Sequence, residues 1–218
     1  GKGNALSIGS ETLVRAIEKA AKDNSVKAIV LRVNSPGGDA IASELITNEV
    51  IKAKKRKPVI VSMGDVAASA GYEMSSNANF IVASPITITG SIGVFGIMPN
   101  LSRSLKNNVG LTFDTVKTND NAVLSITTPR SAQSKQVLQM NVENFYDNFI
   151  TKVAQGRKLK KTYVDSIARG RVWSGLDAKE LGLVDEFGGL NKAISIAAQK
   201  AGIEQYGIIA YPKQKDIL

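Results

Sequence analysis

The chain has 218 residues with 28 Lys and Arg against 19 Asp and Glu, a formal net charge of +9, and neither His nor Cys. Those two zeros exclude a Ser-His-Asp triad, a thiol nucleophile, imidazole or thiolate metal ligands and disulfides from this chain. Proton transfer near neutral pH must come from Lys, Asp, Glu or Tyr with displaced pKa values, or from groups on another chain.

In chain order, residues 11–23 carry Leu13, Ile17, Ala20 and Ala21 at helical spacing, with Ser10 in the capping position. Residues 26–33 read as a buried strand, broken sharply at 34–39 by Asn-Ser-Pro-Gly-Gly-Asp, and 40–55 resume as helix. Pro58 opens a second strand over 59–63. A small-residue segment, 64–72, leads into another helix, and 80–83 is a third strand. This βαβ rhythm predicts a parallel sheet flanked by helices. An apolar Gly-rich stretch at 89–98 and a strand at 111–117 follow. A long amphipathic helix starts near 131 and runs past 149, carrying Val137, Met140, Phe145 and Phe149. Shorter helices are expected at 162–169, 177–181 and 190–201. With no linker, repeat or low-complexity segment, residues 1–218 read as a single domain.

No apolar run approaches the ~18 residues of a transmembrane helix, and no signal-peptide pattern is present. The start at Gly1, without Met, is what a fragment of a longer protein would show. The positive charge concentrates at Lys52, Lys54, Lys55, Arg56 and Lys57 and again at Arg157, Lys158, Lys160 and Lys161. Both clusters fall at expected helix ends, where cations complement the helix dipole. Neither has the interleaved aromatics that stack on bases, so no nucleic-acid partner is expected.

Two turns follow successive predicted strands, on the sheet edge where open α/β folds bind ligands. The first, Ser-Pro-Gly-Gly-Asp at 35–39, presents unobstructed backbone N–H groups near a helix N-terminus. It suits an oxyanion, or is simply a tight turn that needs glycine. The second sets Ser69 among Ala67, Ala68, Ala70 and Gly71, where a substrate backbone could approach the hydroxyl. Taken alone, such a serine is equally a helix cap or a packing residue. Together the turns suggest a nucleophile beside an oxyanion hole. Asp39, Asp65 and Glu73 read as caps or solvated charges, and Trp173, the single Trp, as a packing residue.

Four segments resemble the signal peptide peptidase A, or protease IV, family: Val-Asn-Ser-Pro-Gly-Gly (33–38), Ser-Met-Gly-Asp-Val-Ala-Ala-Ser-Ala-Gly-Tyr (62–72), Thr-Gly-Ser-Ile-Gly-Val-Phe-Gly (89–96) and residues 171–185. They occur in the family's order, and the likeness covers residues 10–200. The resemblance implies an α/β fold of the Clp-protease/crotonase-like class, built of stacked ββα units, and a serine peptidase with a Ser-Lys dyad. It implies Ser69 as nucleophile, Gly38 and Ala70 N–H groups as the oxyanion hole, and Ser91 as the residue orienting the Lys. It calls for no cofactor and no metal. Peptide substrates are implied, namely signal peptides left in the membrane, with bowl-like homo-oligomers at the outer face of the bacterial inner membrane.

One feature departs from the family pattern. Short members carry the base Lys some fifty residues after the nucleophile, and here that stretch runs Val116, Lys117, Thr118, Asn119, Asp120, Asn121, Ala122. The Lys position falls on Ala122, and Lys117, five residues earlier, would present another strand face. This resembles the carboxy-terminal half of the long, duplicated form of the family, whose amino-terminal half supplies the Lys and the membrane anchor. The isolated chain is then expected to be inactive. Two rivals are a crotonase-like acyl-CoA enzyme, disfavoured by a Ser at 69 without paired Glu, and a non-catalytic assembly scaffold.

Overall fold

The computed structural model describes residues 1, 3–4, 7–119, 122 and 125–211. Two short antiparallel strands, β1 (Gly3–Asn4) and β2 (Ser7–Ile8), precede α1 (Ser10–Lys22). Ser10 is not the cap expected from the sequence. It is itself the first helical residue and Gly9 is the N-cap, so no side chain caps this helix. Next come β3 (Ile29–Ser35), α2 (Ala40–Lys54), β4 (Val59–Ala68), α3 (Ala70–Ser76), β5 (Phe80–Ala83) and β6 (Ile88–Gly90). Then follow α4 (Ser102–Ser104), which passes into a π-helical turn at Leu105–Val109, and α5 (Ala132–Arg157), α6 (Lys161–Ile167), β7 (Val172–Ser174), α7 (Gly175–Glu180), β8 (Glu186–Phe187) and α8 (Leu190–Ala201).

The parallel sheet expected from the βαβ rhythm is present, with β4 as its spine. β3 pairs β4 in parallel from Ile29↔Val59 to Val33↔Met63, and β5 pairs the first half of β4 from Ile60↔Phe80. β4 runs beyond the 59–63 expected for it, because residues 64–68 pair as strand where the sequence suggests only a lead into helix. At the midpoint, two steps of β3 (Val33 to Ser35) span four of β4 (Met63 to Ala67). Asn34 fills this bulge: its Oδ1 accepts the Val66 N–H at 3.2 Å and sits 2.6 Å from where a Cβ of residue 64 would be. Only glycine fits at 64. Past the bulge, β6 takes over as the parallel neighbour, Val66↔Ile88 to Ala68↔Gly90, and β7 joins β6 antiparallel. β8 extends the sheet beside β5.

β4 is buried from Val59 to Gly64, as a parallel strand covered on both faces should be. α8 packs against β3, β4 and β5, where Ile60, Val82, Ala193, Ile196 and Ala197 form a buried cluster. Each Ile or Val of this cluster contributes about 1.5–3 kcal/mol by leaving water. α3 lies against β3, β4 and α2. Arg157, at the end of α5, grips Asp185 with two hydrogen bonds (2.9 and 2.6 Å), and Asp185 accepts the Ile81 N–H at 2.7 Å.

The described residues form two compact units, residues 1–93 with 148–218 and residues 94–147. In the second, the strand expected at 111–117 is absent. Leu111 and Phe113 alternate as in a strand, yet they and Val116 are exposed and have no ladder partner among the described residues. A β pattern without a neighbour to pair is only a pattern. The long helix expected from 131 is α5.

Candidate active site

Ser69 stands between β4 and α3 with φ 52 and ψ −122, a backbone conformation that costs an L-residue of order 1–3 kcal/mol and persists only where its surroundings enforce it. Its own N–H donates to the Gly90 carbonyl (2.9 Å), and its carbonyl accepts the Glu73 N–H (2.9 Å). A Cβ at Gly71 would lie 2.7 Å from the Ser35 carbonyl oxygen, so the chain turns into α3 hard against β3. The result is a sharp strand-to-helix turn with a half-buried serine at its tip.

The first Gly-rich turn meets this serine. A Cβ at Gly37 (φ 129) would fall 2.8 Å from Ser69 Cβ and 3.2 Å from its Oγ. Ser35, buried at the end of β3, accepts the Gly37 N–H (3.2 Å) and holds the turn in place. Gly38 is exposed, and among the described residues its N–H has no hydrogen-bond partner. The Ala70 N–H, at the first position of α3, has no intrahelical acceptor. Asp39 caps α2 as expected, its Oδ1 accepting the Ala42 N–H at 2.8 Å, and Asp65 is exposed.

Ser91 follows Gly90, which pairs with Ala68, so Ser69 and Ser91 occupy the next rung on neighbouring strands. Ser91 also has positive φ (49), and its N–H donates to the Arg171 carbonyl at 2.7 Å. Neither serine hydroxyl has a hydrogen-bond partner among the described residues. Trp173 is the packing residue expected of it: its Nε1 donates to the Ile167 carbonyl (3.0 Å), and its ring closes over Gly90.

Glu73 is not the solvated charge or cap that its place in the sequence suggests. It is 7% exposed, accepts the Ser43 hydroxyl at 2.5 Å, and pairs with Lys152 at 3.3 Å. Ser43 also reaches the Ala70 carbonyl at 3.3 Å, and Lys152 makes a second bridge to Glu44 at 3.3 Å. This cluster ties α2, α3 and α5 together directly behind the Ser69 turn. Its signal in the sequence is faint: a carboxylate in a helix whose other residues are all small or apolar, Ala-Gly-Tyr-Glu-Met-Ser-Ser. Within the unit holding Ser69, no lysine donates to its hydroxyl among the described residues. The position expected for the base, Ala122, is exposed, its N–H donating to the Asn119 carbonyl (3.2 Å), and Lys117 is exposed as well. Asp120 and Asn121 lie outside the described residues. A hollow of about 580 Å³ is lined by Val14, Leu45 and Ile51 of α1 and α2 and does not include the Ser69 turn. Backbone geometry, rather than concavity, marks the site.

The profile of Peptidase family S49 matches residues 51–204, more than half of the chain. The chain belongs to peptidase family S49. Ser69, Ala70 and Ser91 lie inside the S49 match, and Gly37 and Gly38 precede it. Protease 4 of Haemophilus influenzae is 46% identical over 200 residues, covering 91% of this chain and 32% of that protein. Protease 4 of Salmonella typhi is 45% identical over 212 residues, 97% of this chain and 34% of the relative. The Serine protease SPPA, chloroplastic, of Arabidopsis thaliana is 39% identical over 196 residues, 89% of this chain and 29% of its own. The chain spans about a third of the length of these S49 relatives.

Proposed function

We propose that this chain is the serine-bearing part of a longer S49 serine endopeptidase, in which Ser69 is the nucleophile. The observation that carries the reading is the pairing of a strained Ser69 with the Gly37–Gly38 turn laid against its side chain. Ser69 Oγ attacks the scissile carbonyl carbon and gives its proton to a neutral lysine amine. Gly38 and Ala70 N–H groups receive the developing oxyanion. The protonated amine then returns the proton to the leaving nitrogen as the C–N bond breaks, and water attacks the acyl-enzyme by the same route in reverse. Ser91 orients the lysine. That lysine comes from an amino-terminal half, a reading supported by Ala122 at the expected position and by the third of the relatives' length that this chain spans. A base with pKa brought from about 10.4 to near 7 needs roughly 4–5 kcal/mol of desolvation, hence a closed apolar site.

The substrate class we assign is the signal peptide left in a membrane. The working form is a membrane-associated homo-oligomer with its sites on the outer face of the bacterial inner membrane. The fold is of the Clp-protease/crotonase-like class. In the described residues no helix is long and apolar enough to cross a membrane. The test compares the isolated chain with the protein carrying both halves, using a fluorogenic peptide and a serine-directed phosphonate. Turnover is expected only with both halves, abolished by Ser69→Ala. Ser69-dependent turnover by the isolated chain, lost again in Lys117→Ala, would assign the base to Lys117 and overturn the two-half reading.

A further inference from the structure

The two basic clusters of the sequence converge at one edge of the sheet. α2 ends at Lys54, and Lys55, Arg56 and Lys57 lead into Val59 at the start of β4. α5 arrives at the same edge: Asn77 donates to the Lys152 carbonyl (3.2 Å), and Gly156 sits against Ser76 and Asn77. Asn79, two residues on, exchanges two hydrogen bonds with Val59. Lys158 therefore emerges beside Lys54, and its charge adds to burial in pulling the Lys54 ammonium below its ordinary value. Lys200, ending α8, lies 5.3 Å over the ring of Phe80, the first residue of β5.

Little at this edge offsets the charge. Lys57 is engaged by the Ala20 and Asp23 carbonyls at the end of α1, and Lys27 by the Asn24 carbonyl. Lys54, Lys55, Arg56 and Lys158 form no ion pair among the described residues. Helix-dipole complementarity accounts for the last turn of α2, but not for Lys160, the N-cap of α6, where a cation opposes the dipole. None of the exposed large apolar side chains comes from residues 52–58 or 157–161, so the face lacks the apolar centre of a protein interface. The aromatic at this edge, Phe80, is half-buried with Lys200 over its ring, so the face does not offer the row of open rings that stacks on bases. What remains, with Lys54, Lys55, Arg56 and Lys158 outside any ion pair among the described residues, is a cationic surface made of helix ends, suited to a broad layer of negative charge.

We propose that this edge, at the far end of β4 from Ser69, is a docking face for an anionic phospholipid bilayer. β4 has ten residues, so docking would hold Ser69 about 30 Å from the headgroups. A membrane-derived peptide must then leave the bilayer to reach Ser69. That last consequence rests on the proposed role of Ser69; the docking itself does not, and its test reads no catalysis.

The full chain is floated at low salt with vesicles of phosphatidylglycerol and phosphatidylcholine or of phosphatidylcholine alone. Two charge-matched triple variants are compared, Lys55→Gln/Arg56→Gln/Lys158→Gln on the face and Arg103→Gln/Lys106→Gln/Lys135→Gln elsewhere, all at exposed positions. The chain should bind only the phosphatidylglycerol vesicles and release them near 0.5 M salt, as screening dictates. The face variant should lose on the order of 100-fold, about fivefold per cation, and the matched variant only a few-fold. Equal losses in the two variants, binding to phosphatidylcholine alone, or no binding at all would overturn the proposal. So would tighter binding of a single-stranded oligonucleotide or polyglutamate than of the anionic vesicles.

Discussion

Replacing Gly37 with alanine tests the contact on which the site is built. The added Cβ would sit 2.8 Å from Ser69 Cβ, about 1 Å inside the 3.5–4.0 Å optimum for two carbons. Both partners are held, Gly37 by Ser35 and Ser69 by Gly90, so one hydrogen-bonded turn must shift. At φ 129 the alanine is strained even without the clash, by about 1–3 kcal/mol. A displacement of about 1 Å at a reacting group costs roughly 100-fold in rate. We therefore expect kcat/KM for peptide hydrolysis by the protein carrying both halves to fall about 100-fold in Gly37→Ala, near 2.7 kcal/mol of barrier. Phosphonate modification of Ser69 should slow in parallel. The melting temperature should fall by only about 2–12 °C, at 2–4 °C per kcal/mol for a chain of this size. Gly207, whose Cβ would meet nothing within 4 Å, supplies the neutral alanine control. A Gly37→Ala protein with unchanged turnover and labelling would refute the contact and the oxyanion geometry built on it.

Three further outcomes follow from buried polar groups. Tyr72 is fully buried and donates to the Leu183 carbonyl at 3.0 Å, and burial pushes its phenol well above its ordinary value. Above about pH 10 the unfolded chain releases a proton that the folded chain keeps, so stability falls by up to ~1.4 kcal/mol per pH unit. Urea melts from pH 8 to 11.5 should show that slope, reduced in Tyr72→Phe, which should cost about 1 kcal/mol at neutral pH. Arg157→Ala leaves Asp185 partly buried with only the Ile81 N–H, and should cost about 3–5 kcal/mol, read as a fall of roughly 10 °C in melting temperature. Lys152→Met leaves the Glu73 carboxylate with Ser43 alone, and chemical denaturation should show a loss of about 3 kcal/mol that Glu73→Gln in the same chain partly restores.

What could be read in advance tracks how local each determinant is. The last helix was legible to the residue, because Ala193, Ile196 and Ala197 recur at helical spacing and Gly202 ends it in a left-handed conformation. The four apolar residues of β5 were equally clear. The second half of β4 was not: Gly-Asp-Val-Ala-Ala carries no strand signature, and its pairing with β6, and at Ala67 with Ser35 of β3, makes it strand. The two-residue β8 likewise exists through its partner. At the site, glycine and small-residue spacing exposed both turns, but the touch of Gly37 on Ser69 is tertiary. Glu73 reads as a cap or solvated charge for the same reason, since its partners Ser43 and Lys152 lie 30 and 79 residues away in the chain.

A strained serine and a lysine base make different demands on a fold. Ser69 needs its backbone over-determined, and the unit that holds it supplies this from several sides: the Gly90 carbonyl, the Glu73 N–H, the Ser35 carbonyl beneath Gly71, and Glu73 locked between Ser43 and Lys152. Those restraints come from the central strands and the helices packed on them, where register is set by burial on both faces. A lysine base instead needs little backbone strain and a dry surrounding, which a second surface closing over the serine can provide. Lys117 and Ala122, the positions where the family resemblance leads one to expect the base, are both exposed, and neither pairs in a strand among the described residues. In the two-half arrangement proposed above, the half with the paired strands would hold the strained group rigid and the closing half would bring the desolvated amine, a physically economical division.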